Sequence, residues 1–376
     1  MSQPTDATLV AQTGHARIGA SSKGESVMRW NTALMLRWVG AAVAAMAAFA
    51  ALAVPAAQAQ SAAEFYAGKS IDLEIGYSVG GGYDLYARLL ARHLGDHIPG
   101  HPTIVPKNME GAASLRLANY LYAAAPRDGT VIGAISRGAA FDPLLDEKNA
   151  QFDASKFSWI GSANNEVSVC VALQSSGVTR FDDVLTKPLT IGSTGVGDDT
   201  YQFPALMNAV LGTKFKIVTG YPGGNDITLA LERGEVQGRC GWSWSSIVTT
   251  RKDWITSKKI IVLVQMSLSK HPDLPDVPLI MDLAKTTEQS QIFKLIFARQ
   301  VMGRPFTAPP GVPADRVTAL RTAFDETMKD KAFLDDAAKG QFEINPVGGD
   351  ELDGLVKEIY QTPADVTKKA AAILGQ

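Results

Sequence analysis

Three consecutive glycines, Gly80 to Gly82, separate a strand-like segment from a helix-like one. The strand-like segment, Ile71 to Ile75, alternates apolar and polar residues, and the helix-like one carries leucines on one face. Asp84 falls in the first helical turn, where an acid is favoured. Glycines permit positive φ, and a helix amino end presents free N–H groups with about half a positive charge. The stretch fits a small anion, but a tight connection that binds nothing explains it equally well.

The same order of strand, glycine turn and helix occurs a second time, at Leu189 to Thr194, Gly195 to Gly197 and Thr200 to Leu211. Around both units strand-like and helix-like segments alternate, which indicates two α/β units with mostly parallel sheets. Ligands in open α/β sheets bind beyond the carboxyl ends of the strands. The two glycine turns therefore predict one anion site between two halves that close on it.

The first 59 residues have the pattern of a cleavable export signal. Arg29 and Arg37 precede the apolar run Val39 to Val54, and Ala57-Gln58-Ala59 offers a small-residue cleavage site. The Ala-rich run is shorter than the ~20 residues that a spanning helix needs, which disfavours a membrane anchor. We predict a Sec-type signal peptide cleaved after Ala59 and a periplasmic mature protein. Met28 is an alternative to Met1 as the start of translation.

Charge and length restrict the class of protein. Residues 1–59 hold four basic and two acidic residues, so the mature chain carries 32 Lys and Arg against 36 Asp and Glu. This mildly acidic balance disfavours nucleic acid as a partner. The remaining length suggests two domains of ordinary size.

The chain has two cysteines, Cys170 and Cys240, each in a short apolar segment that reads as a strand. In an oxidising compartment they could form a disulfide. Two buried thiols that act as small apolar groups are the alternative. A catalytic thiol is disfavoured, because no histidine lies in a suggestive position.

Five short segments, in order along the chain, resemble the periplasmic solute receptors of tripartite tricarboxylate transporters, the Bug family. They are Gly76 to Asp84, similar to the family's PFAPGGxxD loop; Ala125 to Thr130, similar to APDGYT; Ser193 to Gly197, at the place of SSGxG; Tyr221 to Gly224, at the place of YKG; and Ala308 to Pro313, similar to AP-x-G-x-P. No single segment is specific, but their order is. The match spans essentially the whole mature chain.

The resemblance implies an α/β, two-domain, type II periplasmic-binding-protein (Venus-flytrap) fold. Domain 1 would comprise residues 60–165 and 268–376, and domain 2 residues 166–267. Crossover strands would lie at Val167–Leu173 and Ile260–Met266. On that topology Cys170 and Cys240 could be neighbours.

The resemblance also implies that two loops hold a ligand carboxylate through backbone N–H groups and hydroxyls. Together with nearby polar and aromatic side chains, they give the candidate ligand-binding residues Tyr77, Ser78, Gly80, Gly81, Gly82, Tyr83, Asp84, Ser136, Arg137, Ser193, Thr194, Gly195, Asp198, Thr200, Tyr201 and Trp242.

Charged residues in these loops raise two questions. Asp198 conflicts with an anion site, unless it points away or pairs with Arg137 or Arg239. Arg137 is the best candidate for a bidentate grip on a carboxylate, with a structural ion pair as the alternative.

Aromatic residues near the loops raise a third question. Tyr83, Tyr201, Trp242 and Trp244 could form an aromatic box for a planar ligand. Ordinary packing is the alternative for at least one tryptophan.

These observations predict a monomeric periplasmic receptor. It would capture a small organic acid, a di- or tricarboxylate or an aromatic carboxylate, and deliver it to the integral-membrane subunits of a tripartite tricarboxylate-type transporter. A ligand-sensing partner of a histidine kinase is the alternative. No nucleophile is paired with a general base, so an enzyme is disfavoured. We assign no cofactor and no metal, because Pro99-Gly100 ends the helix that carries His93 and His97 before it reaches His101.

Overall fold

The computed structural model describes residues 60–145 and 148–374. Its strands are β1 Ser70–Ile75, β2 Thr103–Asn108, β3 Val131–Ala134, β4 Ser158–Ser162, β5 Ser168–Leu173, β6 Leu189–Gly192, β7 Phe215–Val218, β8 Gly238–Ser243, β9 Ile260–Met266, β10 Pro305–Ala308 and β11 Val347–Gly348. The predicted signal peptide lies outside the described residues.

Helices lie between most of these strands and follow the last one. They are α1 Ala62–Tyr66, α2 Gly82–His97, α3 Leu115–Ala123, α4 Asp142–Leu145, α5 Asp183–Thr186, α6 Asp199–Leu211, α7 Gly224–Glu232, α8 Trp244–Thr256, α9 Thr287–Phe297, α10 Ala314–Thr327, α11 Lys331–Lys339, α12 Gly349–Tyr360 and α13 Ala364–Leu374. Short 3-10 turns occupy Ala112–Ser114, Ala154–Lys156, Gln174–Ser176, Ile280–Leu283 and Ala298–Met302.

The strands form two mixed sheets. The first sheet has the order β11-β4-β10-β3-β1-β2, and the second has the order β7-β6-β8-β5-β9. Strands β2, β1 and β3 run parallel, as do β7, β6 and β8. Strands β10, β4 and β11 are antiparallel to their neighbours, as are β5 and β9. The prediction of mostly parallel sheets is therefore wrong, because β4, β10 and β11 in the first sheet and β5 and β9 in the second add antiparallel pairings.

The chain crosses between the sheets twice. It leaves the first sheet after β4, enters the second through β5, and returns from β9 to β10. Strands β5 and β9 pair antiparallel, so the two crossings are neighbours. The predicted crossover strands coincide with these two strands to within one residue. The predicted domain limits stay a prediction.

The first glycine turn has the predicted course from strand to helix. Strand β1 ends at Ile75, Gly80 adopts φ 81°, and Gly81 is the N-cap of α2. A Cβ atom on Gly82 would lie 2.1 Å from Ser246 Oγ, so only glycine permits this approach of α8. Helix α2 then buries an apolar face against the first sheet.

Three apolar cores hold these layers. One lies under the first sheet, one lies between the second sheet and α8, and the largest extends along helices beside both sheets. The C-terminal helix α13 packs on α4, α6 and α9. Because α6 packs on β8, α13 contacts a helix that covers the second sheet. Across residues 60–145 and 148–374, no helix has both the length and the apolarity to cross a membrane.

Cys170 in β5 and Cys240 in β8 are joined by a disulfide at the centre of the second sheet, and both are fully buried. The bond closes a loop with a sequence separation of 70 residues. Loops of this length give a disulfide its largest effect on the entropy of the unfolded chain.

The pair Cys170→Ala and Cys240→Ala should lower the free energy of unfolding by about 2–4 kcal/mol. Urea denaturation of residues 60–376 with and without a thiol reductant measures the loss. Reductant should destabilise the wild type by a similar amount and leave the double variant unchanged. Equal stability of the two proteins in oxidising buffer would refute a role for the bond.

His271, which follows β9, forms a pH-dependent contact with the segment before β11. Its Nε2 lies 3.4 Å from Glu343 Oε1, and the bond to this carboxylate raises the pKa of His271 above 6.5. A raised folded-state pKa stabilises the fold below about pH 6.5, and the effect is lost as the pH rises through the folded-state pKa. Its size is at most about 1 kcal/mol, since solvent screens the half-exposed Glu343.

His271→Gln should therefore be less stable than the wild type at about pH 5.5 and equally stable at about pH 8.5. Thermal or urea unfolding of both proteins at the two pH values measures the difference. Glu343→Gln should reduce the same pH dependence, and the Asp273 carboxylate, 3.8 Å from His271 Nδ1, should keep part of it. A His271→Gln deficit that is equal at both pH values would contradict the assignment.

Candidate functional site

A cavity of about 40 Å³ lies where the carboxyl-end loops of the two sheets meet. Its wall contains three arginines, two aspartates, two tyrosines and small polar or glycine residues. These residues are Tyr77, Gly81, Gly82, Tyr83, Arg137, Thr194, Asp198, Asp199, Thr200, Gly224, Arg239, Gly241, Ser243, Ser246 and Arg304. The cavity therefore lies between the two sheets, beside the first glycine turn and the residues that flank the second.

The first glycine turn forms one side of the cavity. Tyr77 and Tyr83 stack there with their ring centres 4.4 Å apart. Asp84 does not face a ligand, because its Oδ2 accepts from the Gly80 N–H at 2.9 Å and its Oδ1 accepts from Arg88 and Asn108. The Gly80 N–H, one of the backbone donors predicted to hold the anion, therefore already donates to a side chain of its own loop.

Asp198 begins the opposite side and is the N-cap of α6. Its Oδ1 accepts from the backbone N–H and the hydroxyl of Thr200, both at 2.9 Å. Its Oδ2 accepts from the Tyr77 hydroxyl at 2.5 Å, across the two sheets. Burial and the Asp198 carboxylate together raise the pKa of Tyr77, so the phenol keeps its proton. The sequence predicted that Asp198 would either point away from the anion site or pair with Arg137 or Arg239. It does neither, because one of its oxygens caps α6 and the other accepts a hydrogen bond from Tyr77.

Arg137 follows β3 and reaches into the second sheet. Its Nε lies 2.5 Å from Asp199 Oδ2, and its Nη2 donates to the hydroxyls of Ser168 and Ser243 at 3.1 and 3.0 Å. Burial acts to lower the pKa of Arg137, but the Asp199 carboxylate together with the nearby Tyr83, Glu166 and Asp198 outweighs it, and the net shift is upward. This cation is therefore neutralised by the protein itself. The predicted bidentate grip is not available, and Nη1 alone lacks an acceptor among the described residues.

Arg304 lies between the first sheet and the start of α8. Its Nη2 donates to Ser245 and Ser246 and lies 3.7 Å from Glu166 Oε1. Its guanidinium is 5.0 Å from the ring centre of Tyr83. Arg304 is thus buried with a carboxylate near by, and its Nε has no acceptor in the described part of the chain.

Arg239, in β8, is the third arginine of the cavity wall and differs from the other two. Its Nη1 donates to the Gly224 carbonyl at 2.9 Å, and its guanidinium lies 4.5 Å from the ring centre of Trp242. No carboxylate of the described residues lies within ion-pair distance, and its Nε has no acceptor there. Burial lowers the pKa of Arg239 to about 9, with Asp198 acting in the opposite direction. The cavity therefore carries one buried positive charge without a counter-ion.

The structure brings half of the sequence-predicted residues into the cavity wall. Those in the wall are Tyr77, Gly81, Gly82, Tyr83, Arg137, Thr194, Asp198 and Thr200; those outside it are Ser78, Gly80, Asp84, Ser136, Ser193, Gly195, Tyr201 and Trp242. The predicted aromatic box does not form, since Trp242 packs in the core of the second sheet and Trp244 donates to Asp273 at 3.2 Å. The structure adds Asp199, Gly224, Arg239, Gly241, Ser243, Ser246 and Arg304.

One signal for an added residue was present in the sequence. Arg239 stands in an apolar strand-like segment between small residues, where a charged side chain requires a partner. Arg304 gives no such signal, because the groups that surround it come from distant segments. A Cβ atom on Gly224 would lie 2.4 Å from Arg239 Nη2, so that glycine is needed for the approach of the guanidinium.

Comparison with known sequences gives a partial match. No family model matches the chain. A protein of Pseudomonas sp. (strain P51), named "UPF0065 protein in tcbD-tcbE intergenic region", is 28% identical over 214 residues. The match covers 54% of this chain and 60% of that protein, so it spans less than two thirds of the relative.

Several solved structures match this chain over nearly their whole length. The periplasmic binding protein BugD has a TM-score of 0.62 at 20% identity, over 81% of this chain and 98% of BugD. An R. palustris protein with adipate has a TM-score of 0.63 at 19% identity, over 82% and 98%. MatC from Rhodopseudomonas palustris with bound malate has a TM-score of 0.63 at 18% identity, over 80% and 99%.

These matches define the class first: the chain has the two-domain α/β fold of a periplasmic binding protein. Within that class, its structural neighbours are Bug and TctC-type solute-binding proteins. The resemblance predicted from five short segments is thereby confirmed at the level of the fold.

Replacing the uncompensated cation tests its role. Arg239→Met should raise the free energy of unfolding by about 1 kcal/mol, because a buried charge without a counter-ion is removed and apolar contact with Trp242 is kept. The Gly224 carbonyl keeps the Thr228 hydroxyl as a donor at 3.0 Å. Urea denaturation measures the change.

Arg233→Met is the matched control, since Arg233 lies in the same part of the chain with its side chain 69% exposed. It should alter stability by less than about 0.5 kcal/mol. Destabilisation by Arg239→Met alone would show that Arg239 is compensated in the folded protein.

Proposed function

We propose that the protein is a periplasmic solute receptor that captures a small organic acid between its two sheets. It then delivers the acid to the integral-membrane subunits of a tripartite tricarboxylate-type transporter. The observation that carries the proposal is the buried Arg239, whose positive charge lacks a counter-ion in a cavity built from both sheets. A bound carboxylate supplies the missing counter-ion and accepts hydrogen bonds from the free guanidinium N–H groups.

Three further observations support this function. The structural neighbours are periplasmic binding proteins, and two of them are described with adipate and with malate. Loops from both sheets form the cavity, which is the arrangement that domain closure around a ligand requires. Residues 1–59 have the pattern of a Sec-type signal peptide, which would place the mature, monomeric chain in the periplasm.

The acid is held by charge and by hydrogen bonds. Arg239 provides the charge, and the free N–H groups of Arg137 and Arg304 provide further donors. The hydroxyl of Thr194 lies in the same wall. Because the wall is buried, these polar interactions are stronger than they would be in water.

A thermal-shift screen of residues 60–376 tests the capture of acids. The panel contains monocarboxylates, dicarboxylates, tricarboxylates, aromatic acids, amines and neutral sugars. An acid present at ~100 times its Kd should stabilise the protein by roughly 2.7 kcal/mol, which raises the melting temperature by several degrees. Arg239→Gln should abolish the shift, and Arg233→Gln should preserve it.

Two outcomes would contradict the proposal. Stabilisation by amines or sugars alone would mean that Asp198 or Asp199 faces the ligand. An acid response that survives in Arg239→Gln would move the site away from this cavity. Delivery is a separate step, measured as uptake of the labelled acid by cells that express or lack the chain.

A further inference from the structure

The charges of the cavity wall point to the charge of the ligand. Asp199 neutralises Arg137 at 2.5 Å and also lies 3.3 Å from Arg299. Glu166 lies 3.7 Å from Arg304. Asp198 has both oxygens bonded to Thr200 and Tyr77. Of the three arginines in the wall, Arg239 alone has no carboxylate within ion-pair distance among the described residues. With Arg299 included, four arginines stand against the three carboxylates of Asp198, Asp199 and Glu166, which leaves an excess of one positive charge. One negative charge balances the site, and a second one would have no cation to pair with.

The unpaired hydrogen-bond donors of the wall also indicate a ligand with one carboxylate. Each of the three arginines keeps one buried guanidinium nitrogen without an acceptor in the described part of the chain: Arg137 Nη1, Arg239 Nε and Arg304 Nε. Nη1 carries two hydrogens and each Nε one, and a single carboxylate has two oxygens with about four acceptor positions, which suffice for these four N–H groups. A second carboxylate would lie beside Asp198 and Asp199, where like charges repel and desolvation is uncompensated.

The size of the cavity sets an upper limit on the ligand. One water molecule needs roughly 10–15 Å³ of such volume, so 40 Å³ holds about three groups of that size. A carboxylate itself has three non-hydrogen atoms. The enclosed space therefore accommodates one carboxylate and is too small for two.

From charge, donors and volume together we infer that this site binds a small monocarboxylate, a single carboxylate on a short carbon chain, and discriminates against dicarboxylates and tricarboxylates. The inference rests on the proposed receptor function and narrows its ligand. It differs from the adipate and malate described for two structural neighbours.

Matched pairs of acids test this inference. Propionate and malonate have equal carbon number and differ by one carboxylate, as do butyrate and succinate. Isothermal titration calorimetry of residues 60–376 should give at least about tenfold tighter binding for the monocarboxylate of a pair, because the second charge is buried unpaired. Arg239→Gln should remove this binding, and Arg233→Gln should leave it unchanged.

A second variant reverses the charge argument. Asp199→Asn keeps the shape of the side chain and releases the charge of Arg137, so the wall gains one unpaired cation. Succinate should then gain affinity relative to butyrate by about tenfold. An unchanged ratio in a folded variant, verified by circular dichroism, would count against the charge balance.

The results separate this inference from the proposed function. Tighter binding of malonate or succinate by the wild type overturns the monocarboxylate assignment and leaves an acid receptor in place. Binding of nitrate or chloride with equal affinity overturns the requirement for a carbon chain. Binding of amines or sugars in place of every acid overturns the receptor proposal and the inference together.

Discussion

The buried ion pair between Arg137 and Asp199 is the contact on which the site depends. Arg137 belongs to the end of β3 in the first sheet, and Asp199 begins α6, which packs on the second sheet. The pair is completed by Ser168 and Ser243, which lie opposite each other where β5 begins and the antiparallel β8 ends. Four elements are therefore held in register by one side chain. Because Arg137 is occupied by this structural role, the cavity charge that remains for a ligand belongs to Arg239.

Local patterns in the sequence predicted a large part of the fold. The strand–glycine–helix units were visible because each depends on residues within about twenty positions, such as the alternation before Gly80 and the leucines after it. The strand β10 was missed, since its four residues acquire their role by pairing with β3 and β4, about 140 to 170 residues away in the chain. Ala112, Ala113 and Ser114 adopt positive φ, although none is a glycine. A tertiary bond, from the Ser136 N–H to Ser114 Oγ at 3.1 Å, helps to hold that turn, and no local pattern announces it.

The sequence indicated where the cavity lies in the fold, but it indicated only some of the residues that line it. Gly81 and Gly82 of the first glycine turn line the cavity, and the residues that flank the second turn, Thr194 and Asp198, line it as well, because the carboxyl ends of strands converge wherever two such sheets face each other. The sequence did not predict the role of each charged residue, since that role depends on which partner lies within about 4 Å in the folded protein. Asp198 is an N-cap and Asp199 is a counter-ion, yet the sequence presents both as acids beside a glycine turn. Arg239 differs from them in the sequence only by its place in an apolar, strand-like segment. The comparison with Bug-type structures supplies the fold and leaves these pairings to the individual chain.

The disulfide at the centre of the second sheet also bears on when the protein completes its folding. Export through a Sec channel requires a chain without stable tertiary structure, and the cytosol keeps cysteines reduced. In the proposed periplasmic receptor, strands β5 and β8 would lack their covalent link until the chain reaches an oxidising compartment. The second sheet and the helix α6 on it, which supply Arg239 and Asp199 to the site, would gain their full stability only there. The compartment in which the receptor would work is thus also the one in which its disulfide would form.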